Sequence, residues 1–141
     1  MGNPFGKIIQ NGVEYDVSQY AHKIVVTGSS GETNATLMSR IWTALKAKVS
    51  DVTTIKSATL VINGIFGSTS YQTYHLEIAN QTEIRFNHYD VGSSAVNLRQ
   101  LVLADTPHCY FAGITASEGN IFRDDGSRTM TRTVTCELYY T

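Results

Sequence analysis

Apolar and polar residues alternate along residues 71–91, and this pattern predicts two long strands joined by a tight turn. A period of two is typical of a strand that buries one face and exposes the other. The apolar positions of the alternation are Tyr74, Leu76, Ile78, Ile84 and Phe86. The stretch therefore predicts a β-hairpin with one face in the core.

The length of the turn decides which residues of this hairpin face each other. A two-residue loop at Asn80-Gln81 sets Ile78 against Glu83, an apolar residue against a charged one. A three-residue loop over residues 80–82 sets Ile78 against Ile84, and we prefer it because a one-residue slip exchanges the two faces. The same register gives two further pairs, Leu76 with Phe86 and Glu77 with Arg85. After His88 the apolar set changes phase, which favours a bulge there.

One segment has the periodicity of a helix. Between Asn34 and Val49 apolar residues recur at steps of three and four, and Thr33 or Asn34 can cap the start. The apolar stripe consists of Leu37, Met38, Ile41, Trp42, Leu45 and Val49. The pattern predicts an amphipathic helix over about residues 34–49, with Trp42 as a core anchor between helix and sheet.

The rest of the chain has the pattern of short strands separated by turn residues. Asn11-Gly12 predicts a small hairpin over residues 7–17. Further strands are predicted at 22–27, 55–62, 95–104, 108–116 and 129–140, with turns at 63–64, 92–94, 105–107, 118–120 and 124–126. We expect a mainly β fold, a β-sandwich or jelly-roll-like body with one helix. Residues 1–17 would form an attachment segment and residues 18–141 a single β-sandwich domain.

Composition narrows the class of protein. The chain has 141 residues, of which 42% are hydrophobic, enough for one domain with its own core. Only 16% are charged, and a surface rich in Thr, Ser, Asn and Tyr is common among secreted and virion β proteins. The net charge is −1 without a basic stripe, so we expect no nucleic-acid partner. No apolar run is long enough to cross a bilayer, so we expect no membrane partner.

Candidate chemistry is sparse. Cys109 and Cys136 lie in apolar runs, which favours two buried reduced thiols over a disulfide. No histidine has a second ligand at metal-binding spacing, so we predict no metal, cofactor or catalytic residue. His88 and Asp90, two apart in one strand, come nearest to a site, although a polar sheet surface explains them equally well.

Tyrosines offer a second candidate site. Their rings can stack on sugars, but tyrosine is also a good strand residue with a polar tip. The platform would draw on Tyr71, Tyr74, Tyr89, Tyr139 and Tyr140. The candidate ligand-binding residues are accordingly Tyr71, Tyr89, His88, Asp90 and Tyr139.

Two segments resemble tail-associated proteins encoded by phages and prophages of gut Gram-positive bacteria. KIIQNGVEYDV is similar to the short ING-x-x-Y hairpin near the start of those proteins. YAHKIVVTGSSG, with the amphipathic segment and threonine-rich strands after it, resembles their C-terminal β domains. The likeness covers about residues 7–61. It implies a non-enzymatic virion component, a tail-fibre or receptor-binding tip or a capsid-decorating protein, of a kind that is commonly homotrimeric.

Three functions follow as hypotheses. In the first, residues 1–17 attach to other virion proteins or to further copies of the chain, after assembly in the cytoplasm of the host bacterium. Loops at 66–70, 92–95 and 118–126 then face a host-cell glycan or surface protein. In the second, the chain is a free-standing carbohydrate-binding module, which needs exposed tyrosines. In the third, it is a small hydrolase, which needs a histidine beside a carboxylate or nucleophile in a cleft.

Overall fold

The computed structural model describes residues 7–10, 13–16, 20–66, 69–91, 96–114, 119–124 and 132–141. Two short strands come first, β1 (Lys7–Gln10) and β2 (Val13–Asp16). The body then contains β3 (His22–Gly28), α1 (Asn34–Lys48), β4 (Ala58–Phe66), β5 (Thr69–Ala79), β6 (Glu83–Val91), β7 (Val96–Ala104), β8 (His108–Ile114), β9 (Gly119–Asp124) and β10 (Val134–Tyr140). A short 3-10 turn, Val52–Thr54, links α1 to β4.

The strands of the body form one antiparallel sheet in the order β3-β10-β4-β5-β6-β7-β8-β9. The last strand, β10, inserts between β3 and β4 and so ties the end of the chain to its beginning. The strands β1 and β2 pair only with each other and form a separate two-stranded sheet. The predicted mainly β fold with one helix and a small N-terminal hairpin is confirmed.

The sheet curls around the helix. Helix α1 packs against both β3 and β7, which are the first and sixth strands of the sheet. Five strand spacings of about 4.8 Å would separate these strands in a flat sheet, whereas a helix is only about 10 Å wide. The sheet must therefore bend until both strands reach the helix, and the core lies inside this curve.

The core is formed by the apolar stripe of α1 and the concave face of the sheet. The stripe is as predicted, with Leu37, Met38, Ile41, Trp42 and Leu45 all buried. Trp42 is 2% exposed, and its indole Nε1–H donates to Asp105 Oδ1 at 3.0 Å. Asp105 belongs to the turn between β7 and β8, so Trp42 joins the helix to the far side of the curled sheet.

The helix begins at the predicted cap. Thr33 Oγ1 accepts a hydrogen bond from the Thr36 N–H at 3.1 Å, while the Thr33 backbone stays extended. This bond satisfies one of the first backbone N–H groups, which have no partner within a helix. At the other end Lys46 and Lys48 lie in the last turn, where positive charge stabilises the helix dipole.

Replacing Thr33 with alanine should lower the free energy of unfolding by about 1 kcal/mol, because the Thr36 N–H loses its acceptor. Thr33→Ser keeps the hydroxyl and should retain most of that stability. Urea denaturation followed by circular dichroism measures both variants. Equal losses of stability in the two variants would contradict the cap, because Thr33→Ser keeps the hydroxyl and removes only the methyl group.

Residues 80–82 separate β5 from β6, but Ala79 pairs with Ile84, one residue away from the register of the predicted three-residue loop. Asn80 Oδ1 accepts from the N–H groups of Thr82 and Glu83, both at 2.9 Å, and holds the turn. Leu76 faces Phe86 as predicted. The predicted pairs of Ile78 with Ile84 and of Glu77 with Arg85 are wrong, since a bulge after Leu76 sets Ile78 against Arg85.

The bulge has a visible consequence for exposure. Ile78 is 44% exposed, while Ile84 is fully buried opposite Ala79. A bulge adds one residue to one strand and so exchanges its faces beyond that point. The bulge predicted after His88 is not found on the β7 side, because β6 pairs with β7 without interruption from Glu83 to Val91.

Two predicted turns are strand instead. The Asn63-Gly64 pair lies within β4, and the register shift between Asn63 and Phe66 shows that glycine marks a bulge there. Gly119 and Asn120 begin β9 and pair with Ile114 and Gly113. The break at residues 105–107 is confirmed. The predicted turns at 92–94 and 124–126 lie wholly or mostly outside the described residues.

Candidate functional site

His88 lies in β6, half-buried, on the concave side of the sheet. Its Nδ1 is 2.9 Å from the carbonyl oxygen of Thr73, and its ring centroid is 5.3 Å from that of Tyr74. These contacts hold the imidazole in place against the neighbouring strand β5. Asp90 follows two residues later in the same strand, as predicted, and its side chain lies outside the described part of the structure.

Tyr139 lies in β10 with its ring buried, at 2% exposure. Its hydroxyl donates to Glu137 Oε2, and its ring packs beside Tyr20 with centroids 6.3 Å apart. Burial, and then the Glu137 carboxylate, raise the pKa of the Tyr139 phenol. Because the ring is buried, the structure weighs against a stacking role for Tyr139.

The two predicted ligand-binding residues whose side chains are described, His88 and Tyr139, do not converge. Pairing from strand to strand leads from Tyr139 to Thr59, then to His75, then to Asn87. Paired residues share a face and successive residues alternate, so Tyr139 lies on the face opposite His88, three strands away. Two of the remaining candidates, Tyr71 in β5 and Tyr89 in β6, have side chains outside the described residues.

Burial also weighs against a tyrosine platform more generally. Tyr74, Tyr139 and Tyr140 are 1%, 2% and 4% exposed. Tyr74 and Tyr140 belong to the main core, and Tyr139 joins Tyr20 and Val61 in a small second cluster. These rings pack against protein, which is the ordinary role of tyrosine in a strand.

His75 lies on the convex face, and its environment disfavours the charged form. Partial burial, and then the charge of His88, lower the pKa of His75 below its ordinary value of 6.5. Below pH 6.5 the unfolded chain therefore binds more protons at this position than the folded chain does. The folded state must lose stability relative to the unfolded state as the pH falls through that range.

His75→Gln should reduce this acid sensitivity. We expect the stability difference between variant and parent to shift in favour of the variant as the pH falls from about 7 to 5. Urea denaturation at a series of pH values measures the difference. A constant difference across the series would contradict the lowered pKa.

A surface that sequence reasoning missed lies along the edge strand β3, next to α1. Val25, on the convex face of this strand, is 53% exposed, more than any other large hydrophobic side chain that the structure describes. Beside it runs a shallow groove of about 500 Å³. The groove is lined by Val25, Val26, Thr27, Arg40, Thr43, Ala44 and Ala47. We call these residues the β3 edge groove. Its walls are mostly small or aliphatic, which suits an apolar side chain.

The open side of β3 presents backbone groups as well as side chains. β10 occupies one side of β3, and Arg40 Nη1 donates to the Thr27 carbonyl at 3.1 Å. In an antiparallel strand the N–H and C=O of a residue point the same way, and the direction alternates along the chain. Every second residue of β3 therefore directs its backbone groups to the open side. These groups form a short template for another strand.

Two basic side chains lie at the β3 edge groove or beside it on β3, Arg40 and Lys23. Helix α1 carries Arg40, Lys46 and Lys48 without an acidic residue, and β3 carries Lys23. Arg40 pairs with Glu32 at 2.8 Å, and Lys23 with Glu137 at 3.3 Å. Both basic side chains at this edge therefore have a carboxylate partner in the same chain, and Lys46 lies over the Trp42 ring.

A signal for this surface is present in the sequence of β3. Ile24, Val25 and Val26 form an unbroken apolar run, although a half-buried strand needs only every second residue to be apolar. Ile24 is buried on the concave face, so Val25 is the residue out of phase. The run alone could equally have indicated a strand buried on both faces.

Comparisons with known proteins add no further constraint. No protein-family model, curated protein or solved structure matches the chain. Within the described residues, no helix is long and apolar enough to span a membrane. Both cysteines are outside any disulfide; Cys136 is buried, and burial raises the pKa of its thiol to about 12.

Proposed function

We propose that this chain is a non-enzymatic structural module of a phage virion that assembles with other copies and with neighbouring virion proteins. Its N-terminal segment, residues 1–17, provides attachment. Loops of the β body provide contact with a host-cell glycan or surface protein. The proposal places the chain at a tail fibre, a receptor-binding tip or a capsid surface.

The open edge of β3 is the observation that carries the assembly part of the proposal. Most soluble proteins protect a sheet edge with charge, proline or a covering element, because exposed backbone groups attract other strands. Here Arg40 covers only the Thr27 carbonyl, and Val25 exposes an apolar side chain beside a groove. An edge of this kind suits a protein whose normal state is an assembly.

The N-terminal hairpin gives a second, independent support. A two-stranded sheet of four residues per strand has few contacts of its own and is at best marginally stable in water. Its sequence is also the part of the chain that resembles phage tail-associated proteins. Docking on another subunit would supply the contacts that the isolated hairpin lacks.

Purified particles test the proposal directly. Particles released from cells that carry the gene should contain this chain in a fixed ratio to other virion proteins, as measured by quantitative mass spectrometry. An antibody against the chain should label one defined position by immunogold electron microscopy. Particles that lack the chain, together with its recovery as a soluble protein only, would overturn the proposal.

A further inference from the structure

The N-terminal hairpin and the β3 edge groove have complementary features. Strand β2 has the sequence VEYD, with two acidic residues and no basic one, while the edge strand β3 carries Lys23 and no acidic residue. Only one edge of β2 is used by β1, so its other edge can pair with a further strand. Four residues is also about the length of the open stretch of β3, from Lys23 to Thr27.

The alternation of β2 matches the two sides of the β3 edge. Val13 and Tyr15 fall on one face of the strand, and Glu14 and Asp16 on the other. On β3, Lys23 and Val25 belong to the convex face, and Val26 to the face that meets α1. Pairing that sets Val13 and Tyr15 toward the groove also sets Glu14 and Asp16 beside Lys23.

The path of the chain disfavours pairing of β2 with β3 of the same copy. Tyr20 is buried on the convex face, where its hydroxyl hydrogen-bonds Thr59 Oγ1 at 2.7 Å and its ring packs by Tyr139. Thr59 is in β4, two strands inward from the β3 edge. Tyr20, two residues before β3, thus lies over the convex face and not beyond the open edge of β3, where a β2–β3 hairpin would need its turn.

We propose that β2 of one copy adds to the open edge of β3 in a second copy, with its apolar residues in the β3 edge groove. This inference rests on the proposed function and names the partner for the attachment segment as another copy of the chain. The contact joins two different surfaces, so it is heterologous, and repeating it around an axis closes a ring such as a trimer. Main-chain hydrogen bonds would provide affinity, and the groove would provide specificity.

Cross-linking between two differently tagged full-length variants tests whether β2 of one copy pairs with β3 of another. One variant carries Val25→Cys and the other Glu14→Cys, which the proposed pairing places on the same convex face, each in a background where Cys109 is replaced by alanine. After the two are mixed and refolded together, a short bismaleimide should join them into a mixed dimer. Cys136 can stay, because its side chain is buried.

A matched control uses an exposed position away from the edge. Thr53 is exposed in the 3-10 turn, so Thr53→Cys mixed with Glu14→Cys should give at least tenfold less mixed dimer. Dimers formed by two Val25→Cys chains would show that the β3 edges of two copies pair with each other. They would overturn the proposed contact between β2 and β3. Equal yields at Val25 and Thr53, or no mixed dimer, would overturn it too.

The two proposals fail in different experiments. An oligomeric chain that gives no mixed dimer contradicts hairpin exchange and leaves the virion role standing. Particles that lack the chain contradict the virion role whatever cross-links form.

Discussion

Replacing Trp42 with alanine is expected to lower the free energy of unfolding by about 3–5 kcal/mol. The side chain is 2% exposed and fills the space between α1 and the curled sheet. Its removal leaves a cavity that the surrounding strands cannot close fully. It also removes the hydrogen bond from the indole N–H to Asp105. Urea denaturation followed by far-ultraviolet circular dichroism measures the loss without relying on tryptophan fluorescence.

Two control variants separate the contribution of packing from that of the hydrogen bond. Trp42→Phe keeps much of the apolar volume and should cost less than the alanine variant. Asp105→Ala leaves the tryptophan in place but removes its acceptor, and should cost about 1–3 kcal/mol. If Trp42→Ala lowered the free energy of unfolding by no more than about 0.5 kcal/mol, as is usual at surface positions, Trp42 would not be the core anchor.

Phe86 and Ile78, in the same hairpin, should respond very differently to truncation. Phe86 is fully buried opposite Leu76, so Phe86→Ala should cost about 3–5 kcal/mol. Ile78 lies beyond the bulge and is 44% exposed, so Ile78→Ala should change stability by no more than about 0.5 kcal/mol. Denaturation of both variants by urea provides the comparison.

This pair of variants also tests the bulge itself. An unbulged register would pair Ile78 with Ile84 on the buried face of the hairpin. A loss of several kcal/mol for Ile78→Ala would therefore contradict the observed register and restore the regular one. A small loss for Phe86→Ala would contradict the core position of β6.

Much of the fold could be predicted from the pattern of apolar residues because the helix and the central hairpin each bury one face. The apolar stripe from Leu37 to Leu45 predicted the helix, and Thr33 was one of the two residues predicted to cap it. The bulge after Leu76 could not be predicted, because the alternation of Ile78 and Ile84 fits a regular ladder equally well. In the same way Asn63-Gly64 has the sequence of a turn, and only the paired strands show that it is a bulge in β4.

The candidate site was harder to predict than the fold. Tyrosines were considered as a platform because of their chemistry, but sequence does not show which face of a strand becomes buried. Tyr139 is covered by Tyr20, a residue 119 positions earlier in the chain. The exposed edge at Val25 depends on strand order, since β10 occupies one side of β3 and no strand in the described residues occupies the other. Strand order is set by long-range pairing, which local patterns do not encode.

Light scattering on the full chain over a wide range of concentrations tests most directly the claim that this protein assembles through the edge of β3. We expect a mass that is a multiple of the single-chain mass, and a shift toward the monomer in Val25→Lys, because charge on an edge strand opposes pairing. Ile78→Lys is the matched control, since it places the same charge at the other exposed hydrophobic position among the described residues. It should leave the mass unchanged. A single-chain mass for the parent at every concentration, or an equal shift in the two lysine variants, would contradict the account.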